Sequence, residues 1–243
     1  MNTLHHCDCM EAMRDMPGGF FDIAIVDPPY GGGAAAGGVM SSGWGGCNHA
    51  FGGRFDRYDI EATTVERTGG TWAEKYGRSI RHWDIAPPPE YFNELFRVSK
   101  NQIIWGGNYF GLPPTRCFVV WKKLTISEGF SMAMAEYAWC SFNDNAKIIE
   151  AAPQGTKTDP RFHPTQKPVA LYEKLLQWFA KPGDKILDTH AGSASLPVAC
   201  IRRGFDWLAC EINAAYVDKA RERIAQAYVE AEAERAQTRP EGV

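Results

Sequence analysis

Three short apolar segments, each leading into a turn or a helical pattern, constrain the fold of this chain most strongly. They lie at residues 22–26, 184–188 and 206–211. The second runs through a small-residue turn into a helical pattern that ends near Arg203, and the third leads into a long helix at about 214–237. Strands that alternate with helices in this way are typical of a doubly wound α/β sheet.

The rest of the chain adds elements to the same scheme. Residues 102–105, 117–121 and 136–142 predict strands, and about 89–99 and 168–180 predict helices with proline near their starts. No internal repeat and no linker divides the chain. We therefore predict one α/β domain over residues 1–243.

Composition predicts a soluble globular protein. Hydrophobic residues make up 44% and charged residues 23% of the 243 residues, which is ordinary for such proteins. No stretch approaches the roughly 20 apolar residues that a membrane span needs, and no basic segment followed by an apolar one opens the chain. We expect a cytoplasmic protein without a membrane partner.

Charge and cysteine usage narrow the function classes. A net charge of −3 argues against a protein that coats nucleic acid by bulk charge, but it leaves room for a local basic groove. The seven cysteines include no CxxC pair. His5 and His6 adjoin the pair Cys7 and Cys9, but no second ligand pair with zinc-finger spacing follows. We predict reduced cysteines and no metal.

Residues 31–88 do not follow the α/β pattern. The segment is glycine-rich at first and then polar and aromatic, with Trp44, Trp72 and Trp83 interleaved with arginines. Long irregular insertions in compact domains are usually functional loops or disordered segments. The tryptophans and arginines favour a loop that contacts the substrate, and a surface loop without a function is the alternative.

Residues 185–211 predict a βαβ unit that binds a nucleoside. A strand ends at Asp188, a turn of small residues around Gly192 opens a helix, and a second strand ends at Glu211. Such a turn brings a ligand close to the backbone, and a later acid bonds ribose hydroxyls. Only one glycine lies in the core of the turn, which suits a ligand without phosphate, such as S-adenosylmethionine. A plain structural crossover is the alternative.

Three motifs in this order resemble a known family. They are DPPY at 27–30, HPTQKP at 163–168 and LDTHAGS at 187–193. Together they resemble the amino-methylating DNA methyltransferases, and more narrowly the β-class and its compact phage and prophage members. The resemblance covers nearly the whole chain and is weakest over 31–88. It implies a Rossmann-like methyltransferase fold with a mostly parallel, seven-stranded, doubly wound sheet and a long loop insertion.

The resemblance also implies a binding site for S-adenosylmethionine. Asp8 and Cys9 would meet the adenine, Glu211 the ribose, and Ile212 the adenine face. The complete set of implied cofactor-binding residues is Asp8, Cys9, Asp27, Thr165, Gln166, Lys167, Asp188, Ala191, Gly192, Ser193, Glu211 and Ile212.

Two positions depart from the family pattern, and three have simpler explanations. Ala194 stands where the family often has glycine, which restricts the turn, and Cys7 stands where glycine is common. Lys167 is also consistent with an exposed lysine at a helix start, and Asp188 with a helix-capping acid. A satisfied turn histidine is the simpler interpretation of His163.

The DPPY motif supplies the implied chemistry. An exocyclic amino group is a poor nucleophile because its lone pair is delocalised into the ring. Asp27 and the carbonyl of Pro28 would accept its two N–H bonds and stabilise the growing positive charge. Pro29 would fix the loop, and Tyr30 would stack on the base. The base must first be flipped out of the duplex, so the catalytic residues are Asp27, Pro28, Pro29 and Tyr30.

The resemblance favours N6 of adenine as the methyl acceptor, because an aspartate opens the motif. N4 of cytosine is the alternative, and a catalytically silent DNA-binding regulator is a second one. We expect double-stranded DNA as the partner, a homodimer, and a bacterial or phage-infected cell. Residues 31–88 and 143–162 are candidate DNA-contacting segments, and the candidate DNA-binding residues are Arg54, Arg57, Arg78, Arg81 and His82.

Overall fold

A computed structural model describes residues 1–30, 85–128, 133–153, 155–156 and 159–238. Its strands are β1 Thr3–His6, β2 Phe21–Val26, β3 Ser99–Trp105, β4 Phe118–Lys123, β5 Ala135–Cys140, β6 Lys147–Ala151, β7 Lys185–Asp188 and β8 Asp206–Glu211. Its α-helices are α1 Cys9–Arg14, α2 Pro89–Val98, α3 Val169–Phe179, α4 Ser195–Arg203 and α5 Ala214–Thr238, with a 3₁₀ turn at Gly107–Tyr109.

The strands of the described residues form one sheet in the order β1-β8-β7-β2-β3-β5-β4-β6. Neighbouring strands are parallel except where β5 pairs antiparallel with β3 and β4. The predicted doubly wound, mostly parallel α/β sheet is therefore confirmed. The predicted strand number is wrong, because the described residues alone contribute eight strands to the sheet rather than seven.

The elements missing from the sequence prediction include both edge strands. β1 (Thr3–His6) has one buried residue, Leu4, and β6 (Lys147–Ala151) also has one, Ile149. A strand paired on one side and half exposed lacks the apolar run that marks a central strand. Because β6 occupies the middle of segment 143–162, that segment is not a continuous loop.

The central strand β2 is buried on both faces, which explains its apolar sequence. Ile23 and Ile25 pack in one buried cluster together with side chains of α3, α4 and α5. Ala24 and Val26 pack in a second cluster with side chains of α1 and α2, including the fully buried Tyr91. Helices on both faces fix the position of this strand, and hence of the residues that follow it.

The sheet order determines where the functional motifs meet. β1, β8, β7 and β2 are neighbours and all parallel, so their carboxyl ends lie along one edge of the sheet. The chain order reverses between β7 and β2, and ligands of open α/β sheets bind outside the strand ends at such a point. None of the helices in the described part of the chain is long and apolar enough to cross a membrane.

Candidate active site

Four acidic residues follow one another along this sheet edge. Glu211 ends β8, Asp188 ends β7, Asp27 follows β2 directly, and Asp8 lies two residues beyond β1. His6 of β1 pairs with Glu211 of β8, so the carboxyl ends of these two strands lie side by side. The DPPY motif and the glycine turn therefore begin at the same edge of the sheet.

Asp27 is held by two donors on its two carboxylate oxygens. The hydroxyl of Tyr30 donates to Oδ1 at 2.8 Å, and the ammonium of Lys167 donates to Oδ2. Burial raises the pKa of Asp27, while the charge of Lys167 opposes that rise. Burial also raises the pKa of Tyr30 well above its ordinary value, so its hydroxyl stays protonated and acts as a donor.

The ring of Tyr30, at the end of the DPPY motif, packs against the segment that follows β3. It stacks on Tyr109 with ring centroids 4.9 Å apart. Gly106 has φ +66°, and a Cβ at this position would overlap the Tyr30 ring. Gly106 and Tyr109 thus shape the wall behind the tyrosine. The sequence prediction did not include them, although the Gly-Gly pair directly after β3 is a signal of close backbone approach.

Lys167 also contacts a second carboxylate that the sequence prediction missed. Its Nζ lies 3.2 Å from Oε2 of Glu136 on β5, and Lys123 on β4 contacts Oε1 of Glu136 at 2.6 Å. Both lysine side chains are almost completely buried. Burial acts to lower the pKa of Lys167, but Asp27 and Glu136 outweigh it and raise that pKa. Charged residues in two otherwise apolar strands were the signal for this network.

The HPTQKP loop is braced by its own hydrogen bonds. Burial lowers the pKa of His163 to about 3, so the ring is neutral. Its Nδ1 accepts the backbone N–H of Thr165 at 3.3 Å, and the amide oxygen of Gln166 accepts the N–H of Phe162 at 3.1 Å. The simpler interpretation of His163 as a satisfied histidine agrees with this geometry. Contact of Thr165 and Gln166 with a cofactor stays a prediction.

The glycine turn is fastened to β8 by Glu211. The N–H of Gly192 donates to Oε2 of Glu211 at 2.8 Å, and the N–H of Asn213 donates to Oε1 at 2.8 Å. Gly192 has φ +50°, and a Cβ there would lie 3.3 Å from Nε2 of His163. Ala191 and Ser193, which flank it, are both buried. The turn therefore packs directly against the HPTQKP loop.

Asp188 is a buried carboxyl with a single close donor in the described contacts. The N–H of His190 donates to its Oδ1 at 3.1 Å. Burial raises the pKa of Asp188 to about 8, although this N–H acts against the rise. Asp188 is not a helix-capping acid, because α4 begins seven residues later at Ser195. A buried acid with a raised pKa in a cleft is typical of a functional group.

The remaining predicted residues lie at the outer end of the site or beyond the described part. Asp8 caps α1 by accepting the N–H of Met10 at 2.7 Å. Burial raises the pKa of Cys9 to about 12, so this thiol stays protonated. Ile212 is 64% exposed and presents an apolar surface beside Glu211. The five candidate DNA-binding residues, Arg54, Arg57, Arg78, Arg81 and His82, lie outside the described residues.

Within the described part of the chain, no group of three or more His, Cys, Asp or Glu is arranged to hold a metal ion. The six cysteines within the described ranges are free thiols, four of them buried.

The family comparison agrees with the motifs. A family model described as DNA methylase, N6_N4_Mtase, matches residues 120–222. Among curated relatives, YubD of Escherichia coli strain K12, which is named as a methylase, is 25% identical over 240 residues and covers 90% of this chain and 88% of that protein. The DNA adenine methyltransferase YhdJ of the same strain is 22% identical over 255 residues, with 91% and 82% covered.

Solved structures share the fold over nearly the whole chain. The M1.HpyAVI–SAM complex superposes with a TM-score of 0.53 at 16% identity, covering 91% of this chain and 98% of that one. The PvuII DNA methyltransferase, described as cytosine-N4-specific, gives a TM-score of 0.53 at 13% identity, with 94% and 92% covered. The fold is therefore that of the S-adenosylmethionine-dependent methyltransferases. The family model matches within this fold, from β4 to α5.

The backbone of the glycine turn generates a testable prediction. Ala194 adopts φ +60°, a left-handed conformation that costs an L-residue about 1–2 kcal/mol relative to glycine. Ala194→Gly removes this strain, which stabilises the folded state. Glycine also raises the conformational entropy of the unfolded chain, which lowers the free energy of unfolding by roughly 0.4–1 kcal/mol. We expect an unchanged or slightly higher free energy of unfolding in urea.

Gly192→Ala is the matched opposite change. It places alanine at φ +50° and pushes against the ring of His163, so we expect a loss of about 1–2 kcal/mol or more. Equal effects of the two variants would contradict the geometry of the turn.

Proposed function

We propose that this protein methylates N6 of adenine in double-stranded DNA, with S-adenosylmethionine as the methyl donor. The observation that carries the proposal is the largely buried carboxylate of Asp27 at the switch point of the sheet, bonded by Tyr30 and followed by two prolines. The DNA methylase family match and the methyltransferase fold support it. The acid-lined edge beside Asp27 supplies a place for the donor.

The residues along the sheet edge fit S-adenosylmethionine chemically. Its α-ammonium group and its sulfonium carry positive charge, and Asp188 is a buried acid with no basic partner among its described hydrogen bonds. Its ribose offers hydroxyl donors, and Glu211 presents a carboxylate of which each oxygen accepts one backbone N–H and has a further lone pair. A Cβ at Gly192 would crowd the turn, which agrees with close approach of a ligand to the backbone.

Asp27 and its loop perform the chemistry in this proposal. S-adenosylmethionine would supply an electrophilic methyl group when bound. The Asp27 carboxylate and the Pro28 carbonyl accept the two N–H bonds of the amino group, which turns its lone pair towards the methyl carbon. Acceptors fixed in a dry site stabilise the developing positive charge more strongly than water does.

Tyr30 completes the site as a wall for the flipped base. Its ring is braced by Tyr109 and its hydroxyl by Asp27, so the ring is oriented before a base arrives. Stacking on an aromatic ring offsets part of the few kcal/mol that flipping costs. Residues 31–88, which follow directly in the chain, are proposed to contact the DNA and recognise its target sequence.

The choice of adenine over cytosine is the finer part of the proposal. The aspartate that opens DPPY favours adenine, and the relative YhdJ is named as a DNA adenine methyltransferase. N4 of cytosine is the second candidate, because the PvuII enzyme of the same fold is cytosine-N4-specific. A silent DNA-binding regulator is disfavoured by the complete motif from Asp27 to Tyr30.

Methylation mapping tests the proposed function directly. The protein is expressed in a bacterial host that lacks DNA methyltransferases, and the host DNA is sequenced with a method that distinguishes N6-methyladenine from N4-methylcytosine. We expect N6-methyladenine within one short recurring sequence. N4-methylcytosine would replace the adenine assignment, and DNA free of modification would overturn the proposal, provided that the protein is folded and soluble.

Asp27→Asn tests the catalytic group. The amide keeps the size of the side chain but lacks the charge that stabilises the methylated nitrogen, so we expect kcat to fall by about 100-fold or more. S-adenosylmethionine binding, measured by calorimetry, should persist. Methyl transfer from tritiated donor to DNA at the wild-type rate would show that Asp27 is not the acceptor.

Glu211→Gln tests the ribose-binding residue. The glutamine keeps one acceptor oxygen for a backbone N–H. It loses the negative charge, and an NH2 donor replaces the second acceptor oxygen of the carboxylate. We expect the Kd for S-adenosylmethionine to rise by about tenfold, the effect of losing one charge-assisted hydrogen bond. Glu230→Gln, at an exposed ion pair between α4 and α5, is the control. An unchanged Kd in Glu211→Gln contradicts the assignment.

A further inference from the structure

Each oxygen of the Asp27 carboxylate, which would bind the amino group, already accepts one donor in the structure. Tyr30 donates to Oδ1 of Asp27 and Lys167 donates to Oδ2. Under the proposed function, an incoming N–H competes with these donors, and Asp27 accepts it at full strength only when Lys167 withdraws. Lys167 then needs another anionic partner, because an unpaired buried ammonium costs several kcal/mol.

Glu136 offers such a partner at the correct place. Its Oε2 is buried and has no hydrogen-bond partner within the described part of the structure. It lies 3.2 Å from Nζ of Lys167, close enough for an ion pair but outside hydrogen-bond geometry. Because Oε1 is held by Lys123 at 2.6 Å, the second oxygen is fixed in position and directed at Lys167.

We propose that Glu136 is a positioning residue that receives Lys167 when Asp27 releases it to an amino group. The lysine would turn from Oδ2 of Asp27 to Oε2 of Glu136 and complete the hydrogen bond that is missing there. Asp27 thus becomes an available acceptor, while Lys167 keeps one carboxylate at every stage. The inference rests on the proposed function, since it assigns a step within that same site.

The charge balance of the surroundings supports this exchange. Two carboxylates, Asp27 and Glu136, face two ammonium groups, Lys167 and Lys123, so the network as a whole is neutral. Burial acts to raise the pKa of Glu136, but the two lysines outweigh it and lower that pKa. Glu136 therefore stays charged and ready to accept. Lys167 also lies 5.2 Å from the ring of Trp105, which favours the cation while it moves.

Other titratable groups act on Asp27 from every neighbouring element. Tyr30 lies on its own loop, Lys167 on the loop before α3, Tyr172 on α3, Asp188 at the end of β7, and Glu136 on β5. Among these the negative charge of Glu136 raises the pKa of Asp27. Removing that charge should therefore lower the pH at which Asp27 becomes a carboxylate.

Glu136→Gln tests the proposal with a near-isosteric side chain. It leaves Lys167 with Asp27 as its one carboxylate, so the two bind more tightly and Asp27 is harder to release. We expect kcat for methyl transfer to fall by about tenfold or more. The acid limb of the pH–rate profile should move to lower pH, and the Kd for S-adenosylmethionine should stay within about twofold of wild type.

Two variants make the comparison specific. Glu136→Asp keeps the charge and should restore part of kcat. If Glu136 were purely structural, kcat would not depend on the charge at this position. Glu230→Gln removes a glutamate from an exposed pair with Arg202 and should leave both kcat and the pH profile unchanged. Urea unfolding of each variant establishes that it is folded under the assay conditions. If Glu136→Gln is unfolded, Glu136→Asp replaces it as the test: its carboxylate is one methylene further from Lys167, so we expect a lowered kcat with an unshifted pH profile, and a wild-type kcat would overturn the proposal.

A measurement without DNA or cofactor separates this inference from the proposed function. The ¹³Cγ NMR signal of Asp27, assigned with Asp27→Asn, should titrate at lower pH in Glu136→Gln than in wild type. An unchanged titration overturns the role of Glu136 even if the protein is an active methyltransferase. A shifted titration with wild-type kcat also overturns it. If the wild-type protein methylates no DNA, the proposed function fails, and the inference fails with it whatever the titration shows.

Discussion

The buried carboxylate of Asp27 is the constraint on which the rest of the site depends. A charge at this depth is stable only with a partner, and Lys167 provides it from a loop 140 residues further along the chain. The pairing therefore ties the DPPY loop to the HPTQKP loop. Two segments that are remote in sequence become one site through a single electrostatic requirement.

That requirement extends to the sheet beneath the site. Glu136 on β5, which pairs with Lys123 on β4, is a second carboxylate beside the Lys167 ammonium, so Asp27 is not its only anionic partner. β5 runs antiparallel to both of its neighbours, β3 and β4. It carries Glu136 to 3.2 Å from the ammonium of Lys167, and so links the sheet to the HPTQKP loop.

The sequence predicted the elements whose residues are buried on both faces or carry a motif. β2, β7 and β8 are apolar runs that end at acids, and their identity follows from period and turn chemistry. The edge strands β1 and β6 were missed because one-sided pairing requires little apolar sequence. Glu136 was missed for another reason: a charged residue in an apolar strand signals a buried ion pair but does not name its partner, and Lys167 reaches Glu136 only through tertiary structure.

The glycine turn illustrates how the site tolerates a departure from the family pattern. Ala194 keeps the left-handed conformation that glycine adopts readily, at the cost of local strain. The strain is offset by contacts around it: Arg223 of α5 donates to the carbonyl of Ser193 at 2.6 Å and to Oγ of Ser195 at 3.0 Å. Because these bonds hold the residues on both sides of Ala194, the turn stays in place without the glycine that the family often has at this position. The missing glycine is therefore compatible with the preserved position of Gly192 and its bond to Glu211, on which the proposed cofactor site depends.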